Sequence, residues 1–100
     1  MTDSLEQEKI IAGKEWAEAE MRTLAIERTV KLNSVHWVES TDSKVWIATI
    51  NSAAGEHTVA IPYSSLMQCA DSENGRMLLR ERIRHLIGDL ARIERRGFLR

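Results

Sequence analysis

Apolar residues recur at helical spacing at both ends of this chain and at strand spacing between them. The two periods differ, 3.6 residues against two, so their order along the chain predicts the order of the elements. One hundred residues suffice for one domain. The pattern therefore predicts a single α+β domain over residues 1–100. In it, a long N-terminal and a long C-terminal helix pack on a three-stranded antiparallel β-meander, with a short helix between.

The first predicted helix runs from about Ser4 to about Glu27, and Ser4 with Gln7 forms a capping box. It carries two apolar stripes, which together are wider than one packing face requires. Their residues are Leu5, Ala12, Trp16, Ala19 and Ile26 in one stripe, and Ile10, Ala17, Met21 and Leu24 in the other. Either the chain's own sheet and last helix cover both stripes, or one stripe packs on a second copy. A homodimer is therefore one of the predicted assemblies.

Three strands are predicted in the middle of the chain, at Val35–Val38, Lys44–Ile50 and His57–Ile61. The second strand is apolar on both faces, which is typical of a central strand. The segment Asn51–Gly55 is predicted to be a loop. Pro62 has no N–H to donate to a ladder, so it is expected to end the third strand and to begin the short helix.

The last predicted helix spans about Arg76–Arg96, after a break over Asp71–Gly75, and Gly97 is expected to end it. One apolar stripe follows its length, formed by Leu79, Ile83, Leu86, Leu90 and Ile93. A stripe of this kind predicts a helix with one buried face.

Charge is segregated along the chain. Residues 75–100 contain eight arginines and three acidic residues, a net charge of +5, whereas residues 1–74 carry −6. Two partner-binding faces are predicted on this basis. The basic face of the last helix consists of Arg80, Arg84, Arg92 and Arg95, and the acidic face of the first helix consists of Glu8, Glu15, Glu18 and Glu20.

The basic face has three interpretations. A guanidinium group binds phosphate or carboxylate through two parallel hydrogen bonds, so the face suits a nucleic-acid backbone or an acidic protein surface. The third interpretation is a solvated helix face, in which Arg84 pairs with Glu81 and Arg92 pairs with Asp89 at a spacing of three residues.

No motif for catalysis or metal binding is recognisable in the sequence. The histidines His36, His57 and His85 share no ligand spacing with Cys69. Cys69 lies in an apolar stretch, which predicts a buried and unreactive thiol, and a lone cysteine is typical of a reducing compartment. We therefore expect no enzymatic activity, no cofactor and no metal. The absence of a secretion signal, a lipidation motif or a long apolar run predicts a cytoplasmic protein without a membrane partner.

The predicted function is that of a small non-enzymatic protein that binds another macromolecule, either a protein or a protein–nucleic-acid complex, by occupying the partner's charged surface. Phage- and mobile-element-type inhibitors, anti-CRISPR proteins among them, and bacterial accessory proteins occupy this size range. That comparison rests on size and on the missing catalytic motifs. The alternative is a dimeric nucleic-acid-binding regulator that uses the arginine-rich last helix, with an affinity that falls steeply with salt.

Overall fold

The computed structural model describes residues 4–53 and 55–98, with side chains up to residue 93. The elements follow in the order α1 (Ser4–Glu27), β1 (Leu32–Ser40), β2 (Val45–Ser52), β3 (Gly55–Pro62), α2 (Tyr63–Asp71) and α3 (Glu73–Phe98). The strands form one antiparallel sheet in the order β1-β2-β3. The predicted α+β fold is confirmed, including the central position of β2.

The sheet has one face toward the helices and one toward solvent. The helix-facing side carries Val35, Trp37 and Glu39 from β1, Trp46, Ala48 and Ile50 from β2, and His57, Val59 and Ile61 from β3. On the opposite side Val38, Ile47 and Ala60 lie in register, and Val38 is 59% exposed. Within the described part of the chain, no apolar residue of this outer face packs against the core. The helices thus cover one face of the sheet only.

The core lies between the inner sheet face and the three helices. Its largest fully buried side chains are Met21, Ile50, Ile61, Leu66, Ile83, Ile87 and Leu90. Burying an aliphatic side chain of this size contributes about 1.5–3 kcal/mol. Because most of the buried core residues belong to α1 and α3, the apolar stripes of these two helices contribute most of the packing energy. Of the two predicted stripes of α1, the one with Ala17 and Met21 is buried, whereas Leu5 and Ile26 of the other are exposed.

The break before α3 is shorter than predicted. The expected loop over Asp71–Gly75 is wrong, because Ser72 alone separates the two helices and α3 begins at Glu73. The Ser72 hydroxyl accepts a hydrogen bond from the Gly75 amide at 3.0 Å, as a helix-capping serine does. Gly75 itself is buried inside α3, where an ideal Cβ would lie 2.5 Å from the Gln68 carbonyl oxygen. Its role is close packing of α3 on α2.

Other boundaries also differ from the prediction, and β1 is longer at both ends than the predicted Val35–Val38. β2 continues to Ser52 and β3 begins at Gly55, so the loop predicted over Asn51–Gly55 is shorter. Gly55 has φ of +116°, which a residue with a side chain rarely adopts. At the other end of the chain, α3 continues through Gly97 to Phe98, so Gly97 does not end the helix.

Candidate functional site

Arg80, the first arginine of the predicted basic face, faces α1. Its Nε lies 3.2 Å from Oε2 of Glu20, and its guanidinium group lies 5.7 Å from the centroid of the Trp16 ring. The Glu20 side chain in this ion pair is only 20% exposed. Arg80 and Glu20 were predicted to bind partners from two separate faces. The structure instead joins them to each other, where they hold α3 against α1.

Two other arginines of that face form ion pairs with carboxylates of the same helix. Arg84 pairs with Glu81 at 2.9 Å, and Arg92 pairs with Asp89, both at the predicted spacing of three residues. The Arg84 and Arg92 side chains are more than half exposed, so these pairs are solvated. Arg95 lies outside the residues whose side chains are described. The solvated-face interpretation therefore describes the contacts of Arg84 and Arg92.

The predicted acidic face of α1 is divided in the structure. Glu18 accepts a hydrogen bond from Trp37 Nε1 at 2.9 Å and pairs with Arg22 at 3.4 Å. Glu20 belongs to the contact with α3 described above. Glu8 and Glu15 are exposed, and neither has an ion-pair partner among the described residues. Two of the four carboxylates are thus available to a partner.

A lysine lies between two tryptophans where α1 approaches the sheet. The Lys14 ammonium group is 3.3 Å from the ring centroid of Trp46 and 5.5 Å from that of Trp37. A cation over an indole face is attracted by the ring quadrupole. Burial lowers the pKa of Lys14, and the nearby carboxylates of Glu39 and Glu18 oppose that shift. The cluster therefore holds a partly desolvated positive charge next to carboxylates.

Glu39 also binds the single tyrosine of the chain. The Tyr63 hydroxyl donates a short hydrogen bond to the Glu39 carboxylate. This bond is the main reason that the pKa of Tyr63 is raised to about 12. Beside it, the Trp46 indole N–H is buried without a hydrogen-bond partner among the described residues. The contact ties the end of β1 to the start of α2.

These side chains line a groove along the contact of α1 with β1. One end is lined by Ile11, Lys14, Glu15, Glu18, Arg22 and Trp37, and the other by Ile11, Glu39, Trp46 and Tyr63. Ile11, which belongs to both ends, is 53% exposed. We call this surface the α1–β1 groove. It combines an aromatic floor, an exposed aliphatic side chain and the carboxylate of Glu15, which has no ion-pair partner among the residues that the structure describes.

The two edges of the sheet differ. On β3, the Ala60 carbonyl oxygen accepts a hydrogen bond from Arg82 Nη2 at 2.9 Å. On β1, the ladder partners in the described residues all belong to β2, so the opposite edge of β1 is unpaired. This open edge borders the α1–β1 groove, because Trp37 of β1 forms part of the groove.

The histidines and the cysteine do not converge. His36 is exposed on the outer sheet face, His57 is half-buried on the inner face, and His85 is exposed on α3. Cys69 is buried as predicted, and burial raises its pKa. Across residues 4–53 and 55–98 there is no group of three potential metal ligands. In the same ranges, no helix has both the length and the apolar character needed to cross a bilayer.

No protein family model matches this chain, and comparisons with curated proteins and with solved structures find no match either. The geometry of the α1–β1 groove is therefore the basis for a functional proposal. The charge pattern of the two long helices does not predict this groove, because the groove lies between α1 and β1. A usable signal was present: a hairpin turn over Thr41–Lys44 pairs Glu39 with Trp46, which places Trp37 and Trp46 on one sheet face.

Proposed function

We propose that this protein is a non-enzymatic module that binds another protein through the α1–β1 groove. The observation that carries the proposal is the open edge of β1 beside a groove that holds Ile11, Trp37 and the exposed carboxylate of Glu15. Aromatic side chains with solvent-accessible apolar neighbours are the usual anchors of protein interfaces. Unpaired main-chain groups of an edge strand add hydrogen-bonding capacity to the same surface.

The charged helix faces are weaker candidates for a partner-binding surface than the α1–β1 groove. Arg84 and Arg92 are each balanced by a carboxylate three residues earlier, and Arg80 is paired with Glu20. A face neutralised in this way has fewer free cations for phosphate contacts, and such contacts supply most of the affinity in non-specific nucleic-acid binding. The nucleic-acid regulator is therefore the second candidate. That the chain acts as an inhibitor, and that it is not an enzyme, remain predictions.

A pair of matched substitutions tests the proposed surface. Ile11 and Ile26 are both exposed isoleucines of α1, but only Ile11 lines the groove. Ile11→Gln removes the exposed apolar contact from the groove without adding a charge and should greatly reduce capture of the native partner from host cells. Ile26→Gln makes the same change elsewhere on α1 and should leave capture intact. Circular dichroism and urea denaturation confirm that both variants are folded.

Site-specific crosslinking gives an independent reading of the same surface. A photoreactive amino acid in place of Ala19 lies in the groove and should crosslink to the partner, whereas the same group at position 26 should not. Capture that survives Ile11→Gln, or crosslinks formed at position 26 alone, would place the partner on another surface. Failure to capture any partner would also contradict the proposal.

A further inference from the structure

We infer that the segment bound in the α1–β1 groove is an extended peptide of a partner protein, which adds to β1 as a fourth strand and carries basic and apolar side chains at alternate positions. This inference rests on the proposed function and specifies its ligand. Strand addition to an open sheet edge is a recurrent mode of peptide recognition. Main-chain hydrogen bonds supply affinity, and side-chain pockets supply specificity.

From Val35 to Val38, β1 lacks the features that protect edge strands from pairing. Such strands usually carry lysine, proline or an inward-pointing charge, or are covered by another element. Residues 32–38 contain no lysine, arginine, aspartate, glutamate or proline. Glu39 is the one inward-pointing charge of the strand, and its carboxylate accepts a hydrogen bond from Tyr63 at the end of β1. β3 is protected by comparison, because it ends at Pro62 and its Ala60 carbonyl is bound by Arg82. The difference indicates that β1 is the edge available for pairing.

The dimensions of the groove fit a short extended segment. The regular part of β1, from Val35 to Ser40 beyond the register shift between Leu32 and Ser34, extends about 17 Å at roughly 3.3 Å per residue. On α1, the wall from Ile11 to Arg22 rises about 17 Å at roughly 1.5 Å per residue. A segment of about six residues thus pairs along β1 and remains beside α1 throughout.

The direction of side chains determines which of them enter the groove. In β1, Val35, Trp37 and Glu39 point toward the helices. Neighbouring residues in adjacent strands point to the same face, so every second side chain of an added strand also points toward α1. These alternate side chains meet Ile11 and Trp37, while the others lie on the outer sheet face.

Charge in the groove favours a basic segment. The Lys14 ammonium group is covered by Trp46 and Trp37, and Arg22 is paired with Glu18. Glu15 is then the exposed charge that has no partner within the described residues. A basic side chain on the added strand pairs with this carboxylate, and an apolar one packs on Ile11.

A second copy of this chain is a poor occupant by the same reasoning. Pairing of β1 with another β1 brings no lysine or arginine into the groove, since residues 32–40 contain neither. The one charge that it brings on the inward face is the carboxylate of a second Glu39, beside a groove whose exposed Glu15 has no ion-pair partner among the described residues. Like charges in proximity repel, so this pairing leaves the charge of Glu15 unbalanced. The occupant is therefore a segment of a different protein.

The experiment uses the full chain and a displayed library of random dodecapeptides. Selection on the wild-type protein, with counter-selection on the Ile11→Gln variant, should enrich peptides in which basic and apolar residues alternate. A synthetic copy of the enriched peptide is then measured by titration of tryptophan fluorescence. Replacing its basic residues by glutamate should weaken binding by about tenfold or more.

The affinity of N-methylated peptides tests main-chain pairing separately. Two versions of the peptide carry N-methyl groups on alternate amides, one version on the odd positions and one on the even positions. In an added strand one set of amides faces β1, so one version should lose about tenfold or more in affinity and the other should keep it. Equal affinity of the two versions would overturn strand addition.

A charge reversal tests the contact with Glu15. Glu15→Lys should weaken binding of the basic peptide and strengthen binding of its glutamate analogue. Glu56→Lys, at an exposed position on β3, should change neither affinity. Enrichment of acidic peptides, or no enrichment at all, would overturn the inference. Partner capture that depends on Ile11 but shows no effect of N-methylation or of Glu15→Lys rejects strand addition and leaves the proposed function standing.

Discussion

The carbonyl oxygen of Leu66 occupies the space that a side chain at Gly13 would need. An ideal Cβ built on Gly13 lies 2.3 Å from that oxygen, a separation that real Cβ atoms do not show. The obstructing atom belongs to the backbone of α2, so a side-chain rotation cannot relieve the contact. Gly13 thus sets how closely α1 approaches α2, and with it the position of the α1 wall of the groove.

Gly13→Ala is expected to lower the free energy of unfolding by about 2–3 kcal/mol, because the two helices must separate to admit the methyl group. Gly88→Ala is the matched control. A Cβ there lies 3.7 Å from the guanidinium group of Arg28, an ordinary contact, so alanine should stabilise α3 by about 0.5–1 kcal/mol. Urea denaturation of both variants measures the difference. Equal stability of the two would show that the approach of α1 to α2 is not constrained by Gly13.

Glu39→Gln should lower the pKa of Tyr63 from about 12 toward 10, because the hydrogen bond to the carboxylate is the largest cause of the shift. Tyr63 is the only tyrosine, so phenolate absorbance reports it without overlap from another tyrosine. Glu56→Gln, on β3, should leave the titration unchanged. A wild-type titration near 10 would show that the hydrogen bond does not form in solution.

The same tyrosine predicts how stability depends on alkaline pH. The folded state keeps the phenolic proton up to about pH 12, whereas the unfolded chain loses it near 10.0. Between these values the folded state binds more protons, so stability falls as pH rises through this window. Tyr63→Phe should remove that part of the dependence in urea denaturation curves measured across the window. An unchanged slope in this variant would assign the effect to another group.

Lys14 predicts a dependence of stability on pH that is opposite in sign to that of Tyr63. Burial lowers its pKa below 10.5, so the unfolded chain binds more protons than the folded one between the lowered value and 10.5, and stability rises with pH there. Lys14→Met keeps an aliphatic stem between the tryptophans and should abolish this rise. Nζ resonances followed by NMR give the pKa directly. In Glu39→Gln the pKa of Lys14 should fall further, since that carboxylate favours the charged form.

Cys69 should react with iodoacetamide only when the protein opens. Its side chain is only 2% exposed, so the reagent cannot reach the sulfur. Burial also raises the pKa of Cys69, so only a small fraction of the thiol is in the nucleophilic thiolate form. Alkylation followed by mass spectrometry should be slow in buffer and fast in urea. Ala70→Cys in a Cys69→Ala background puts a thiol at the exposed neighbouring position and should react rapidly without denaturant. Rapid alkylation of native Cys69 would indicate a local opening near α2.

Removing the carboxylates that pair with Arg84 and Arg92 should create an affinity for nucleic acid, because the two guanidinium groups then become available to phosphates. The wild-type protein is expected to cause no gel retardation of duplex DNA at low salt. Glu81→Gln combined with Asp89→Asn removes both carboxylates and should produce weak binding that decreases with salt. Glu56→Gln combined with Glu73→Gln makes the same change in net charge away from these pairs and should produce less. Steeply salt-dependent binding by the wild type would support the nucleic-acid regulator.

Several features were predictable because their signals are local. The bounds of α1, the central position of β2 and the burial of Cys69 follow from apolar spacing within each segment. The pairs Arg84–Glu81 and Arg92–Asp89 were also predictable, since helix geometry alone places residues three apart side by side. The start of α3 was misplaced although a local signal existed, the capping hydroxyl of Ser72.

By itself the sequence determined the order and type of the elements and the helix-local ion pairs, because each depends on residues a few positions apart. Only the tertiary structure decided which charges remain free and where the groove lies. Arg80 meets Glu20 across 60 positions, and Lys14 meets Trp37 and Trp46 from different elements. Such contacts depend on how closely whole helices and strands approach, and that distance is set by packing between elements rather than by the periodicity within any one of them.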